Sequence, residues 1–294
     1  MSRRRIAQRR VLWAVLGANL ALMAGEVVAG AALRSLALLA DAVHRLTDVS
    51  GLAIALVAIR LAVRPPTKRH SFGLQRAEVL AAQANGLILL GAAGWVIYVA
   101  SGRLAHPVHV AGGGLLAVAS SGLAVSVASA WLLSRAHSES LNMRAAFLHM
   151  SADAAGSLGA MVAGLLILAA DWHRADPAAS ILISILVIYA AWTLLRDAAH
   201  VLLEGTPRGM DPTSVEDSLL AAGGVEGVHH LHLWNLASDV PALSAHVVLT
   251  GELSMHEAQV KGDRLKAMLA ERFGIEHSTL ELECHEHADE SSLP

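Results

Sequence analysis

The sequence predicts an α-helical membrane protein with six transmembrane helices, followed by a C-terminal cytoplasmic α+β domain of ferredoxin-like type. Three observations carry that expectation. Of 294 residues, 54% are hydrophobic and only 16% are charged, where a soluble domain would carry about a quarter charged residues. Six apolar stretches reach the roughly 20 residues that a bilayer-crossing helix needs. Charge is also split along the chain, with 17 Lys/Arg against 10 Asp/Glu up to Gly205 and 5 against 15 from Thr206 onward. A basic membrane part followed by an acidic tail places two domains in different solvents. The expected boundaries are 1–205 for the membrane domain, 206–287 for the cytoplasmic domain and 288–294 for a disordered tail.

The same composition excludes other classes. A mean hydropathy of +0.50 rules out disorder, fibrous repeats and an ordinary cytosolic enzyme. A single cysteine, Cys284, rules out a disulfide framework and a Cys-only metal cluster within one chain. Aromatic residues at 4% and the acidic tail argue against nucleic acid as a partner.

The six spans are Val11–Leu33, Leu36–Ile59, Ala77–Ala100, Val110–Leu133, Ala145–Ala170 and Pro177–Leu195. They are rich in Ala, Leu, Val and Gly, and small residues let packed helices approach closely. The first follows Arg3–Arg10 in the manner of a signal peptide. It holds Glu26, however, and runs almost directly into the second span, so a retained helix is expected. Lys and Arg in the loops fall thirteen on one side (Arg3 through Arg196) against Arg34, Arg103 and Arg174 on the other. That bias places both termini in the cytoplasm.

In the tail, Asp211 or Thr213 caps a short helix that ends at Gly223-Gly224. Val228–Leu236 alternates as a strand, Asp239-Val240-Pro241 makes a turn, and Leu243–Leu249 is a second strand. Ser254 caps a longer helix to about Phe273, and His277–Glu283 is the last strand. The order α-β-β-α-β is compatible with a ferredoxin-like sandwich.

Ionisable groups inside a span are costly and normally face a bundle interior or a watery cavity. The second span holds His44-x-x-x-Asp48 and the fifth holds His149-x-x-x-Asp153. Residues at i and i+4 share one helical face, so each helix presents one imidazole beside one carboxylate. Two such faces turned together would pool two nitrogens and two oxygens, a ligand set that suits a tetrahedral divalent ion, zinc first. Two aspartates also neutralise one M²⁺, which lowers the cost of holding it at mid-membrane depth. The competing reading is a structural His–Asp hydrogen bond in each helix. Catalysis is disfavoured, since a catalytic zinc keeps one position open for water and no His-Glu-x-x-His motif is present.

At these residues the chain resembles the cation diffusion facilitator family, in its zinc-transporting and bacterial zinc/cadmium-resistance branch. The resemblance rests on Ser35-Leu-Ala-Leu-Leu-Ala-Asp-Ala-Val-His44-x-x-x-Asp48, His70-Ser-Phe-Gly73, His149-x-x-x-Asp153 and the acidic tail. It implies a homodimeric metal/proton antiporter in the bacterial inner membrane, moving divalent cations, zinc first with Cd²⁺ and Co²⁺ as further candidates, out of the cytosol. No prosthetic group is implied; zinc is the substrate and a tail ligand. His44, Asp48, His149 and Asp153 match the transport site. In the tail, His229, His246 and Glu283 match a cytoplasmic metal site, with Glu281 on the same strand face. Arg76 and Glu204 match an interlocking salt bridge, though the residue types differ from some relatives. Thr67 and Leu74 stand where other members carry additional ligands beside His70, so His70 is not expected to bind metal alone. Two readings from other classes compete: a membrane-bound zinc sensor without transport, and an intramembrane zinc hydrolase.

The remaining embedded polar residues have milder readings. Glu26, Asp41 and Asn85 are candidates to line a vestibule, and Arg45 is expected to point away from the cation path. Asp176-Pro177 reads as a helix start. Trp13, Trp95, Trp131 and Trp192 read as interface anchors or packing.

Overall fold

The computed structural model describes residues 3–32, 36–106, 112–135, 140–251 and 253–285, without the side chains of 3–7, 26, 29–32, 36–48, 112–115 and 117–118. The chain divides into two units, 1–199 and 200–294.

The first unit is built on six long helices: α1 (Arg3–Ala32), α2 (Leu36–Ala62), α3 (Ala77–Ala105), α4 (Gly112–Arg135), α5 (Leu141–Ala170) and α6 (Ala175–Leu202). Among the described residues, α3, α5 and α6 are each long and apolar enough to cross a membrane. A buried cluster joins Leu12 and Val15 of α1, Leu52 and Ile59 of α2, Leu133 of α4, and Met143 and Met150 of α5. Glycine sets the closest approaches. A β-carbon on Gly86 would meet Leu195 Cδ2 at 2.9 Å, so α6 lies against α3 where only a hydrogen fits. The sequence places the start of the sixth helix at Asp176-Pro177. The helix begins at Ala175, so both residues belong to its first turn, where proline's missing N–H is harmless.

Side-chain amides bracket α2. Asn85 of α3 donates to the Gly51 carbonyl at 3.4 Å, and Asn142 of α5 donates to the Ala55 carbonyl at 3.0 Å. Gly51 and Ala55 are one turn apart, so one stripe of α2 is held by both neighbours. At one end of the bundle, the Ser140 hydroxyl donates to the buried Glu78 carboxylate at 3.1 Å. One turn further along α5, Arg144 pairs with Asp197 of α6. Pairing of this kind is what charges within a membrane domain require.

The second unit continues with α7 (Pro212–Leu220), β1 (Val225–Ala237), β2 (Val240–Leu249), α8 (Met255–Phe273) and β3 (His277–Glu283). The three-stranded sheet has the order β1-β2-β3, antiparallel then parallel. Leu243, Ala245, Val247 and Leu249 alternate onto one face of β2, where Val215 and Leu219 of α7 and Leu265 and Leu269 of α8 cover them. Burial of each of the larger side chains contributes about 1.5–3 kcal/mol. Asp211 caps α7 by accepting from Thr213 N–H, and Ser254 and Glu257 close a full capping box on α8.

Two details of the tail differ from expectation. The turn is Ser238-Asp239, and both Val240 and Pro241 already belong to β2. Pro241 is tolerated because pairing to β3 starts only at Ala242, which leaves β2 single-sided at the proline. The first strand begins three residues early, at Val225. The expected tail at 288–294 lies outside the described residues.

Candidate metal centres

In the membrane unit, α5 carries His149 and Asp153 one turn apart, with His149 7% exposed. His149 Nε2 stands 3.9 Å from Asp153 Oδ2. That is too long for a hydrogen bond and nearer the spacing, on the order of 3.3 Å, of two atoms bound to one tetrahedral ion. His44 and Asp48 fall on α2, but their side chains lie outside the described residues, as do those of Asp41, Arg45 and Glu26. What is described is the next turn of the same helix. A β-carbon on Gly51 would stand 3.2 Å from Asn85 Oδ1 and 4.0 Å from His149 Nε2. At 100° per residue, position 51 lies roughly 20° from position 44 and 60° from position 48 around the axis. The α2 stripe that meets His149 is therefore the stripe to which residues 44 and 48 belong. Gly51 is a residue beside His149 that sequence reasoning passed over; its one signal is a glycine three residues after a membrane aspartate.

In the second unit, the sheet face turned away from α7 and α8 carries the other candidates. His229 and His246 are directly paired across β1 and β2, and Glu281 pairs with His246 across β2 and β3. Glu283 bridges the two imidazoles, with Oε2 at 2.9 Å from His229 Nε2 and Oε1 at 2.7 Å from His246 Nδ1. Ligand atoms of these three residues lie within 4.8 Å of one another. Glu281 Oε2 approaches the other nitrogen of His246 at 3.5 Å. Burial pushes the Glu283 carboxyl up, but the two imidazole hydrogen bonds outweigh it and hold the group below the ordinary glutamate value. A carboxylate kept ionised between two imidazoles is a ready donor set for a borderline cation such as zinc. Cys284 is exposed beside it, with Sγ 3.3 Å from His285 Nδ1; His287 lies outside the described residues.

His70 is exposed in its loop, where Thr67 and His70 form a short backbone bridge and the His70 backbone N–H donates to Thr67 Oγ1 at 3.2 Å. Arg76 directly precedes α3 in the first unit, and Glu204 follows α6 in the second with φ +60°.

Residues 12–203 match the cation efflux transmembrane domain, and residues 207–285 match the cytoplasmic domain of cation efflux proteins. The chain is 36% identical over 270 residues to the cadmium, cobalt and zinc/H(+)-K(+) antiporter of Bacillus velezensis, which covers 91% of this chain and 86% of that protein. It is 39% identical over 282 residues to the zinc transporter ZitB of Escherichia coli K12, covering 94% and 88%. Among solved structures, the metal-bound C-terminal domain of the CzcD transporter of Cupriavidus metallidurans is 39% identical, covers 25% of this chain and 99% of that one, and has a TM-score of 0.23. With both of its units matched in sequence order, the chain belongs to the cation efflux family, the multi-pass membrane transporters that its His-x-x-x-Asp pairs resemble.

Proposed function

We propose that the chain exports divalent metal cations, zinc foremost, from the cytoplasm in exchange for protons. The transport site consists of His44, Asp48, His149 and Asp153. The observation that carries this reading is the placing of His149 against the α2 stripe at Gly51, the stripe on which positions 44 and 48 recur. Coordination needs deprotonated ligands, so protons and metal compete for the same lone pairs. Facing the cytoplasm, the site loads metal. Facing outward, protons neutralise the aspartates or charge the imidazoles and release the ion. Different relative affinities of the two orientations couple the fluxes.

The chain acts as a homodimer in a bacterial inner membrane with both termini cytoplasmic, and Arg76 and Glu204 form a salt bridge. His229, His246, Glu281 and Glu283 form a cytoplasmic zinc site whose filling favours the transport-ready dimer. The names of the relatives support efflux over a sensor that binds without transport, and over an intramembrane hydrolase. The test is a sealed vesicle holding purified protein and a pH-reporting dye. External zinc should drive proton counterflow that saturates with zinc concentration. Saturable binding with no proton movement would instead identify a sensor.

A further inference from the structure

A third imidazole stands beside the cytoplasmic cluster. His230 adjoins His229, and in a regular strand neighbouring side chains point to opposite faces. Here the β1–β2 register shifts between His229 and His232, and His230 has φ +49°, in the left-handed region. The extra residue re-aims the side chain, so His230 shares a face with its neighbour. Its ring centroid lies 5.2 Å from that of His229 and 5.2 Å from that of His246, and the latter two are 5.0 Å apart. Two imidazoles on one tetrahedral zinc, with Zn–N of about 2.0–2.1 Å, have centroids roughly 5 Å apart. The three ring centroids thus stand at the mutual separations that a three-histidine zinc face needs.

We propose that His230 is a metal ligand of the cytoplasmic site, which binds one zinc through His229, His230, His246 and Glu283. Its nitrogens lie outside the 4.8 Å cluster formed by the other three residues, so binding requires the His230 ring to rotate toward them. A donor set of three nitrogens and one oxygen leaves Glu281 to accept from the second nitrogen of His246, which it already approaches at 3.5 Å, and so to orient that ring. It also shifts preference toward zinc and cobalt and away from manganese, relative to a set of two nitrogens and two oxygens. The left-handed backbone, which disfavours most side chains, is what aims this histidine at the site.

This inference rests on the cytoplasmic site proposed above, and one experiment separates the two. The full chain in detergent, with Asp48→Ala and Asp153→Ala in every sample to silence the membrane site, is titrated with zinc against a chelating dye and with Co²⁺ by visible absorption. The variants are His230→Asn and His230→Gly, both compatible with positive φ, together with His246→Ala and His256→Asn, a residue exposed on α8. Melting curves confirm that each folds. Both His230 variants should weaken zinc by about 10- to 100-fold or more, at least the loss expected for an outer-shell partner, and should move the Co²⁺ bands. His256→Asn should do neither. If His246→Ala weakens zinc while both His230 variants keep parental affinity and spectrum, His230 is not a ligand. If His246→Ala also leaves zinc unchanged, the cytoplasmic site itself is wrong and this inference falls with it.

Discussion

Gly51 offers the sharpest test of how α2 and α5 meet. A β-carbon there stands 3.2 Å from Asn85 Oδ1, closer than ordinary contact, so the amide must retreat by a few tenths of an ångström. Asn85 is 2% exposed, and its bond to the Gly51 carbonyl is already 3.4 Å long, so that retreat breaks it. Leaving a buried amide unsatisfied costs about 1–3 kcal/mol, while alanine's better helix propensity returns about 1 kcal/mol. Gly51→Ala should therefore fold with at most about 2 kcal/mol lost. Its zinc affinity should fall about 10-fold, at the lower end of what a disturbed outer-shell partner costs. Gly51→Val reaches further, because its γ-carbons extend toward His149 Nε2, 4.0 Å from the β-carbon. It should abolish zinc flux in reconstituted vesicles while the melting temperature of the cytoplasmic unit is unchanged. Parental flux and zinc affinity in Gly51→Val would refute the placing of this α2 stripe against the transport site.

Glu283 titrates below the ordinary glutamate value, so its contribution to the stability of the metal-free tail is present above about pH 4.3 and lost as pH falls through the lowered folded value. Melting of Glu283→Gln between pH 3 and 6 should lack that acid-dependent limb, and the variant should bind tail zinc more weakly. Ser254→Ala removes one half of the α8 capping box and should cost the tail about 1 kcal/mol by denaturant titration, with zinc flux unchanged. If Arg76 and Glu204 attract each other, Arg76→Glu and Glu204→Arg should each slow transport, and the double variant should recover much of the loss in a double-mutant cycle.

How much of this could be read from the sequence depended on the range over which each feature is determined. The six helices follow from runs of apolar residues, a local property; α2, α3, α5 and α6 cover their expected spans, and α1 and α4 match theirs over the described residues. The strand at His277–Glu283 is also as read, because Leu280 and Leu282 alternate inward while Glu281 and Glu283 point the other way. The clustering of His229, His246 and Glu283 came from motif resemblance; chain spacing alone does not bring together residues 54 apart. Pro241 misled because proline reads as a turn residue, whereas one-sided pairing at the end of a strand accommodates it. The bulge that turns His230 toward His246 was not legible, since it arises from the register between two strands. Gly51 was missed for a similar reason, because its meaning lies in the two helices packed against it.

The central claim is that α2 and α5 pool His44, Asp48, His149 and Asp153 into one site that exchanges a divalent cation for protons. The most direct measurement is radiolabelled zinc flux into proteoliposomes under an imposed pH gradient, comparing the parent chain, Asp48→Ala and Asp153→Ala. The account predicts gradient-driven flux in the parent, with its rate following the size of the gradient, and flux at protein-free background in both variants. Gradient-driven flux that survives either substitution would contradict it.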